Sequence, residues 1–210
     1  MAIILVTGFE PFGEYKTNPS REIAQNLDRK HIDGFNIIGR VIPLRYREIQ
    51  TAIQNHIEEY KPDIILALGQ APRPSISLER VAINIADVSK TGYNCGSVPK
   101  DEQLIEEGPV AYLSTLPIRK LQEYLTEHKI PCYISNSAGT FGCNQIFYHI
   151  MHYLEKTRRL TEVQAGFIHL PLTPDEAVSS PQSASMDLPL MSRAIELIIE
   201  YLVKTDQRND

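Results

Sequence analysis

The stretch with the most chemistry in it centres on one thiol. Ile134-Ser-Asn-Ser-Ala-Gly-Thr-Phe-Gly-Cys-Asn-Gln-Ile-Phe147 leads from an apolar segment through small and polar residues to Cys143. Ile146, Phe147, Ile150, Met151 and Leu154 then follow at helical spacing. The pattern predicts a cysteine on a tight turn, at or just inside a helix N-terminus. Unpaired backbone N–H groups and the positive end of the helix dipole favour a thiolate there. The same N–H groups suit an oxyanion formed when the sulfur attacks a carbonyl. Most lone cysteines are buried packing residues, but a packing cysteine has no need of a glycine-rich turn between strand and helix.

A nucleophilic thiol needs a base to take its proton and return it to a leaving group, and imidazole titrates in the right range. Of the six histidines, His31, His56 and His128 sit in polar surroundings that read as solvated. His149 and His152 follow Cys143 on its own helix and point away from the turn. His169 is different: it ends the apolar run Gly166-Phe-Ile-His-Leu-Pro171, at the edge of a strand. The imidazole in turn needs a group to orient it. Glu79, in Ser77-Leu-Glu-Arg-Val-Ala-Ile-Asn84, is the candidate; an ion pair with Arg73 or Arg80 is the competing reading of its carboxylate. Metal chemistry has little support. His149 and His152 lie three apart without an accompanying CxxC or HExxH, and Cys95, Cys132 and Cys143 lack ligand spacing. Gly8 and Gly13 form neither a dinucleotide fingerprint nor a P-loop, so neither metal nor cofactor is expected.

The elements that must position these groups can be read from apolar periodicity. Residues 2–6, 36–42, 63–68, 77–85, 130–134 and 165–170 read as strands. A helix opens at 18–20, with Ser20 as its expected cap, and runs to Leu27. Further helices carry Ile49, Ile53, Ile57 and Tyr60, then Ile118, Leu121, Tyr124 and Leu125. The last, capped by Asp187, carries Ile195, Ile198, Ile199 and Leu202 before a tail expected to fray from Thr205. Residues 87–99 and 173–182 read as loops. Strands alternating with helices predict a mainly parallel sheet covered on both sides. Ligands then gather beyond the carboxyl ends of the strands, which brings loops 7–13, 69–74 and 135–143 together with the chain around His169.

The chain has 210 residues, 42% of them hydrophobic and 22% charged, which suits one α/β domain spanning residues 1–210. A formal net charge of −5 argues against nucleic-acid or anionic-membrane partners. Three cysteines without close pairing fit a reducing compartment. With no signal-like or membrane-spanning run, the expected location is cytoplasmic.

Taken together, the residues resemble pyroglutamyl peptidase type I, or pyrrolidone-carboxylate peptidase, a family of cysteine exopeptidases. The resemblance rests on Thr7-Gly-Phe-Glu-Pro-Phe-Gly13 with Asn18-Pro-Ser20, Leu68-Gly-Gln70 and Glu79-Arg-Val-Ala-Ile-Asn84. It extends through Ser114-Thr-Leu-Pro117, the segment from Ser135 to Asn144, and Phe167-Ile-His-Leu-Pro171. It implies a triad of Glu79, Cys143 and His169, an α/β/α sandwich, a homotetramer, a cytosolic location and no cofactor. The implied substrate is a peptide beginning with 5-oxoproline, a flat neutral lactam without an ammonium group. An apolar pocket with a few polar groups suits it. Phe9 and Phe12 are the expected walls, or else core residues beneath the loop; Asn18 and Gln70 are the expected polar contacts.

Two positions depart from the family pattern. Gly142 stands where members usually carry a bulky aliphatic residue, and Asp87-Val-Ser89 where they carry an Asp-Ala-Arg-like segment. The first is expected to widen the pocket, the second to weaken positioning or oxyanion support. Two other readings fit the same residues: a thiol hydrolase of another small N-acyl or lactam amide, and a non-catalytic small-molecule-binding or assembly protein on this scaffold.

Overall fold

Apolar runs without alternation form strands where both faces of a sheet are covered, and the central strands here follow that rule. A computed structural model of the protein describes residues 2–88, 92–178 and 182–206. Its elements in chain order are β1 (Ala2–Phe9), α1 (Pro19–Leu27), β2 (His31–Ile32), β3 (Phe35–Ile42), α2 (Glu48–Tyr60), β4 (Ile64–Gln70), β5 (Ile76–Glu79), β6 (Val81–Ile83), β7 (Ala111–Leu113), α3 (Ile118–Glu127), β8 (Cys132–Ser135), α4 (Gly142–Lys156), β9 (Gln164–Leu170), α5 (Pro174–Ala177) and α6 (Leu188–Asp206). Among the described residues, seven strands form one sheet in the order β2-β3-β1-β4-β9-β5-β8. β3, β1, β4 and β9 run parallel, whereas β5 runs antiparallel to β9 and carries β8 parallel to itself.

Side chains alternate between two cores. Ile4, Val6, Leu66 and Leu68 face one side, with Ile23 and Leu27 of α1, Leu121 of α3 and Ile195 and Ile198 of α6. Leu5, Phe9, Ile65, Ala67 and Phe167 face the other, with Ile49, Ile53 and Ile57 of α2 and Phe147 and Ile150 of α4. The result is the expected α/β/α arrangement. No helix among the described residues is long and apolar enough to cross a membrane.

Several local expectations are corrected. Residues 77–85 are not one strand. The Arg80 N–H still bonds the Ser135 carbonyl and its own carbonyl accepts from the Ser114 N–H, and the chain then leaves the sheet. β6 pairs instead with β7 in a separate two-stranded antiparallel sheet. Apolar spacing records that a segment is extended but not which strand it pairs with. Asn18, not Ser20, caps α1, because Pro19 occupies the first helical position and the cap must precede it. Thr173 and Glu176 form a capping box that gives α5 one helical turn inside a stretch expected to be loop. In the loop of residues 87–99, residues 89–91 lie outside the described residues; Val88 and Tyr93 are buried rather than solvated. α6 continues to Asp206, and the rest of the tail lies outside the described residues.

Candidate active site

The register of the sheet gathers the predicted residues. β4 pairs with β9 so that Gly69 lies beside His169, and β5 pairs with β9 so that Ser77 lies opposite His169 and Glu79 opposite Phe167. β8 places Ser135 beside Glu79. Paired residues share a face of a sheet, so Gly69, Ser77, Glu79, Ser135 and His169 all belong to the face covered by α4. Pairing between β1 and β4 stops at Thr7–Ala67, short of both strand ends. The strand order reverses between these two strands, and the crevice at such a switch point is where sheets of this kind hold ligands.

Cys143 is the second residue of α4, and its sulfur lies over Gly69: a Cβ on Gly69 would come 2.7 Å from the Cys143 Sγ and 2.6 Å from the Phe167 Cζ. Only a residue without a side chain admits the thiol so close to the strand. Sulfur and imidazole thus occupy neighbouring positions of one sheet face. No side chain caps α4, which leaves its first N–H groups for an oxyanion. The helix start is anchored by Asn144, whose Oδ1 accepts from the Ile83 N–H and whose Nδ2 donates to the Ile83 and Ile85 carbonyls. Gln145 adds a bond from Nε2 to the Tyr46 carbonyl.

The Glu79 carboxylate is fully buried and its Oε1 takes three donors: His169 Nδ1 at 2.8 Å, an Arg73 guanidinium nitrogen at 2.7 Å and Ser77 Oγ at 2.9 Å. Both readings of Glu79 therefore hold at once, since it orients the imidazole and pairs with Arg73. A carboxylate accepts only, so the proton between them sits on Nδ1 and Nε2 keeps the lone pair a base needs. Phe167 packs against the His169 ring at 4.9 Å between centroids. Arg73 also donates to Ser135 Oγ and to the Ser137 carbonyl, so the same guanidinium steadies the loop that leads to Cys143. Sequence reading left Arg73 as a competitor for Glu79 rather than a member of the site; nothing in local spacing reveals that one oxygen serves both partners.

The thiolate expectation is corrected. Cys143 keeps part of its surface exposed, but burial first, and then the Glu79 charge, push its thiol up to about 12, with Arg73 pulling the other way. Burial draws the His169 imidazole below its ordinary value, against the raising effect of its bond to Glu79, and Arg73 adds to the lowering. Burial thus opposes the thiolate that a helix terminus favours.

The remaining predicted residues separate. Phe12 is half-buried, 6.0 Å from the Phe141 ring that directly precedes Gly142 and Cys143. Phe141 in turn packs 4.5 Å from Tyr93. Phe9 is buried in the core at the foot of the same loop, the second of the two roles open to it. Asn18 is not free to meet a ligand: it is fully buried, its Oδ1 accepts from the Ser20 N–H and hydroxyl, and its Nδ2 donates to the Glu10 carbonyl. A helix cap has used the polar group that the sequence offered for substrate. Gln70 ends β4, with both amide atoms buried and unpartnered among the described residues. The space beside Gly142 is filled by Leu44, whose Cδ1 stands 2.3 Å from where the Cβ would be. Ser89 lies outside the described residues. His149 is buried on α4, its Nε2 3.4 Å from Gln145 Nε2. Among the described residues no group of three or more His, Cys, Asp and Glu could hold a metal ion.

A thiol, an imidazole and a buried carboxylate at the open end of an α/β sheet define a hydrolase of the cysteine-nucleophile class. The profile of the pyroglutamyl peptidase family matches residues 2–205. A pyrrolidone-carboxylate peptidase of Bacillus cereus is 42% identical over 207 residues, covering 98% of this chain and 95% of the relative. One from Bacillus mycoides is 41% identical with the same coverage. Among solved structures, the pyrrolidone carboxyl peptidase of Thermococcus litoralis superposes with a TM-score of 0.93 at 36% identity, over 100% of this chain and 97% of that one. The enzyme of Pyrococcus furiosus gives 0.92 at 36% identity, over 97% and 99%. The chain belongs to the pyroglutamyl peptidase family.

Proposed function

We propose that this chain, acting as one domain over residues 1–210, removes an N-terminal pyroglutamyl residue from peptides, with Cys143 as nucleophile, His169 as acid and base, and Glu79 as the group that orients His169. The observation that carries this reading is the Glu79–His169 bond at 2.8 Å on the face where the Cys143 sulfur overlies Gly69. As the sulfur attacks the carbonyl of the pyroglutamyl bond, its proton passes to His169 Nε2. First-turn N–H groups of α4 receive the oxyanion, and His169 returns the proton to the departing amine. Water, deprotonated by His169, then hydrolyses the thioester.

The lactam has no charge to clamp, so its pocket is apolar with few polar groups. Phe12 and Phe141 flank it, Phe9 supports the loop from the core, and Gln70 at the crevice offers polar contacts to the ring. Asn18 takes no part. A cytoplasmic homotetramer completes the reading, supported by the resemblance; light scattering that gives the mass of four chains checks the assembly.

The test uses three peptides identical except for an N-terminal pyroglutamate, glutamine or proline. Mass spectrometry is expected to show the first shortened by one residue and the others intact. Equal trimming of all three, or of none by folded protein, contradicts the proposal.

A further inference from the structure

We propose that Ser77 is a positioning residue that tunes His169: its hydroxyl competes with the imidazole for one oxygen of Glu79 and so keeps the ring a weaker base. This rests on the reading of His169 as acid and base. β5 runs antiparallel to β9 with Ser77 opposite His169, and Glu79, two residues on, shares the face of Ser77. Ser77 and Glu79 are both fully buried, so the contact between them is shielded from bulk water.

The direction of the hydroxyl is fixed by its neighbours. Ser77 Oγ lies 2.8 Å from Arg73 Nη1 and 2.9 Å from Glu79 Oε1. A guanidinium only donates, so the hydroxyl accepts from Arg73 and gives its single proton to Glu79. The same carboxylate oxygen receives Arg73 Nη1 at 2.7 Å and His169 Nδ1 at 2.8 Å. Three donors therefore converge on one atom that has two lone pairs. No group among the described residues donates to the other oxygen, Oε2, although it too is buried. The donors are not divided between the two oxygens, and each bond to Oε1 weakens the others.

The charged and titratable groups that face the ring are Glu79 of β5, Arg73 of the loop before it, and Cys143 of α4, whose sulfur overlies the adjacent Gly69. Glu79 raises the imidazole and Arg73 lowers it. Ser77 carries no charge, so its removal alters neither the number of charges around the ring nor their sign. It alters the strength of the bond from Nδ1. Without the hydroxyl, Oε1 pulls harder on the Nδ1 proton and favours the doubly protonated ring. The neutral imidazole that must accept the thiol proton is then reached only at higher pH.

Wild type, Ser77→Ala and Ser77→Thr are compared in two ways: the pH profile of kcat/KM on an L-pyroglutamyl reporter amide, and an NMR titration of the His169 ring, assigned by its loss in His169→Ala. Ser77→Ala is expected to move the acid limb and the ring titration together to higher pH. Its rate above the limb is expected to stay within about tenfold of wild type, short of the roughly 10²–10⁴-fold that a general base contributes. Ser77→Thr keeps the hydroxyl and is expected to return both readings to their wild-type positions. A ring titration that does not move in folded Ser77→Ala overturns the proposal. Movement to lower pH does so too, because it marks Ser77 as a prop for the carboxylate rather than a competitor for it. A folded threonine variant that titrates like the alanine one also overturns it. The ring titration needs no substrate, so a ring that moves as expected in a protein that cleaves no pyroglutamyl amide supports the role of Ser77 and counts against the assigned activity alone.

Discussion

His169 Nδ1 lies 2.8 Å from Glu79 Oε1, the same oxygen that an Arg73 guanidinium nitrogen meets at 2.7 Å. One carboxylate oxygen therefore fixes the imidazole tautomer while its charge is balanced from the other side. The arrangement makes two demands that can be separated by mutation: Glu79 must accept the Nδ1 proton, and Arg73 must offset Glu79.

Glu79→Gln keeps the shape of the side chain but can turn an N–H toward Nδ1, selecting the wrong tautomer. The expected loss in kcat is about 10²–10⁴-fold, with a KM close to wild type. A variant within a few fold of wild type in kcat shows that the imidazole is oriented some other way.

Arg73→Gln leaves the Glu79 charge unopposed. Arg73 lowers both the His169 and the Cys143 values, so its removal raises both. His169 must be neutral to accept the thiol proton, and the acid limb of kcat/KM therefore moves to higher pH. Arg73→Lys restores the charge but not the planar fork that also reaches Ser135 and Ser137, and is expected to recover part of the shift. A uniform fall in rate with an unmoved limb assigns Arg73 to loop structure alone.

Gly69→Ala inserts a carbon 2.7 Å from the Cys143 sulfur. Displacing a reacting group by an ångström costs about 10²-fold, and kcat is expected to fall by that order while circular dichroism stays unchanged. Full activity in the alanine variant means that the sulfur reacts from another position.

Stability toward acid depends on a buried imidazole of α4. Burial, followed by repulsion from His152, draws His149 from 6.5 to about 4. Below pH 6.5 the unfolded chain takes up a proton that the folded chain refuses, so this contribution is complete above 6.5 and is lost as pH falls toward 4. The loss reaches about 3 kcal/mol. His169 acts in the same direction. Urea midpoints at pH 7 and 4.5 are expected to differ less in His149→Leu than in wild type; parallel shifts show that His149 does not set the slope.

The central strands were legible because burial on both faces leaves unbroken apolar runs, as in β1, β4 and β9. Cys143, His169 and Glu79 were legible because each is a reactive residue type at a strand end or helix start. What stayed hidden depends on partners remote in sequence. The turn at Arg80 that parts β5 from β6, and the reversal of β5 against β9, follow from strand pairing rather than local pattern. Asn18 looked like a ligand group and is a cap, because Pro19 fixes where the helix begins. The thiol looked ionised from its helix position, and the burial that pushes it the other way comes from the surrounding fold. Gly142 looked like a vacancy until Leu44, nearly a hundred residues earlier, proved to fill it.

The most direct test of the account is kcat/KM for an L-pyroglutamyl reporter amide with wild type and Cys143→Ser, their folding matched by circular dichroism. A neutral hydroxyl in this desolvated position is a far weaker nucleophile than the thiol, and the expected result is efficient release by wild type and loss of at least about 10³-fold in the variant. Release by Cys143→Ser at the wild-type rate would contradict the assignment of that sulfur as the attacking atom.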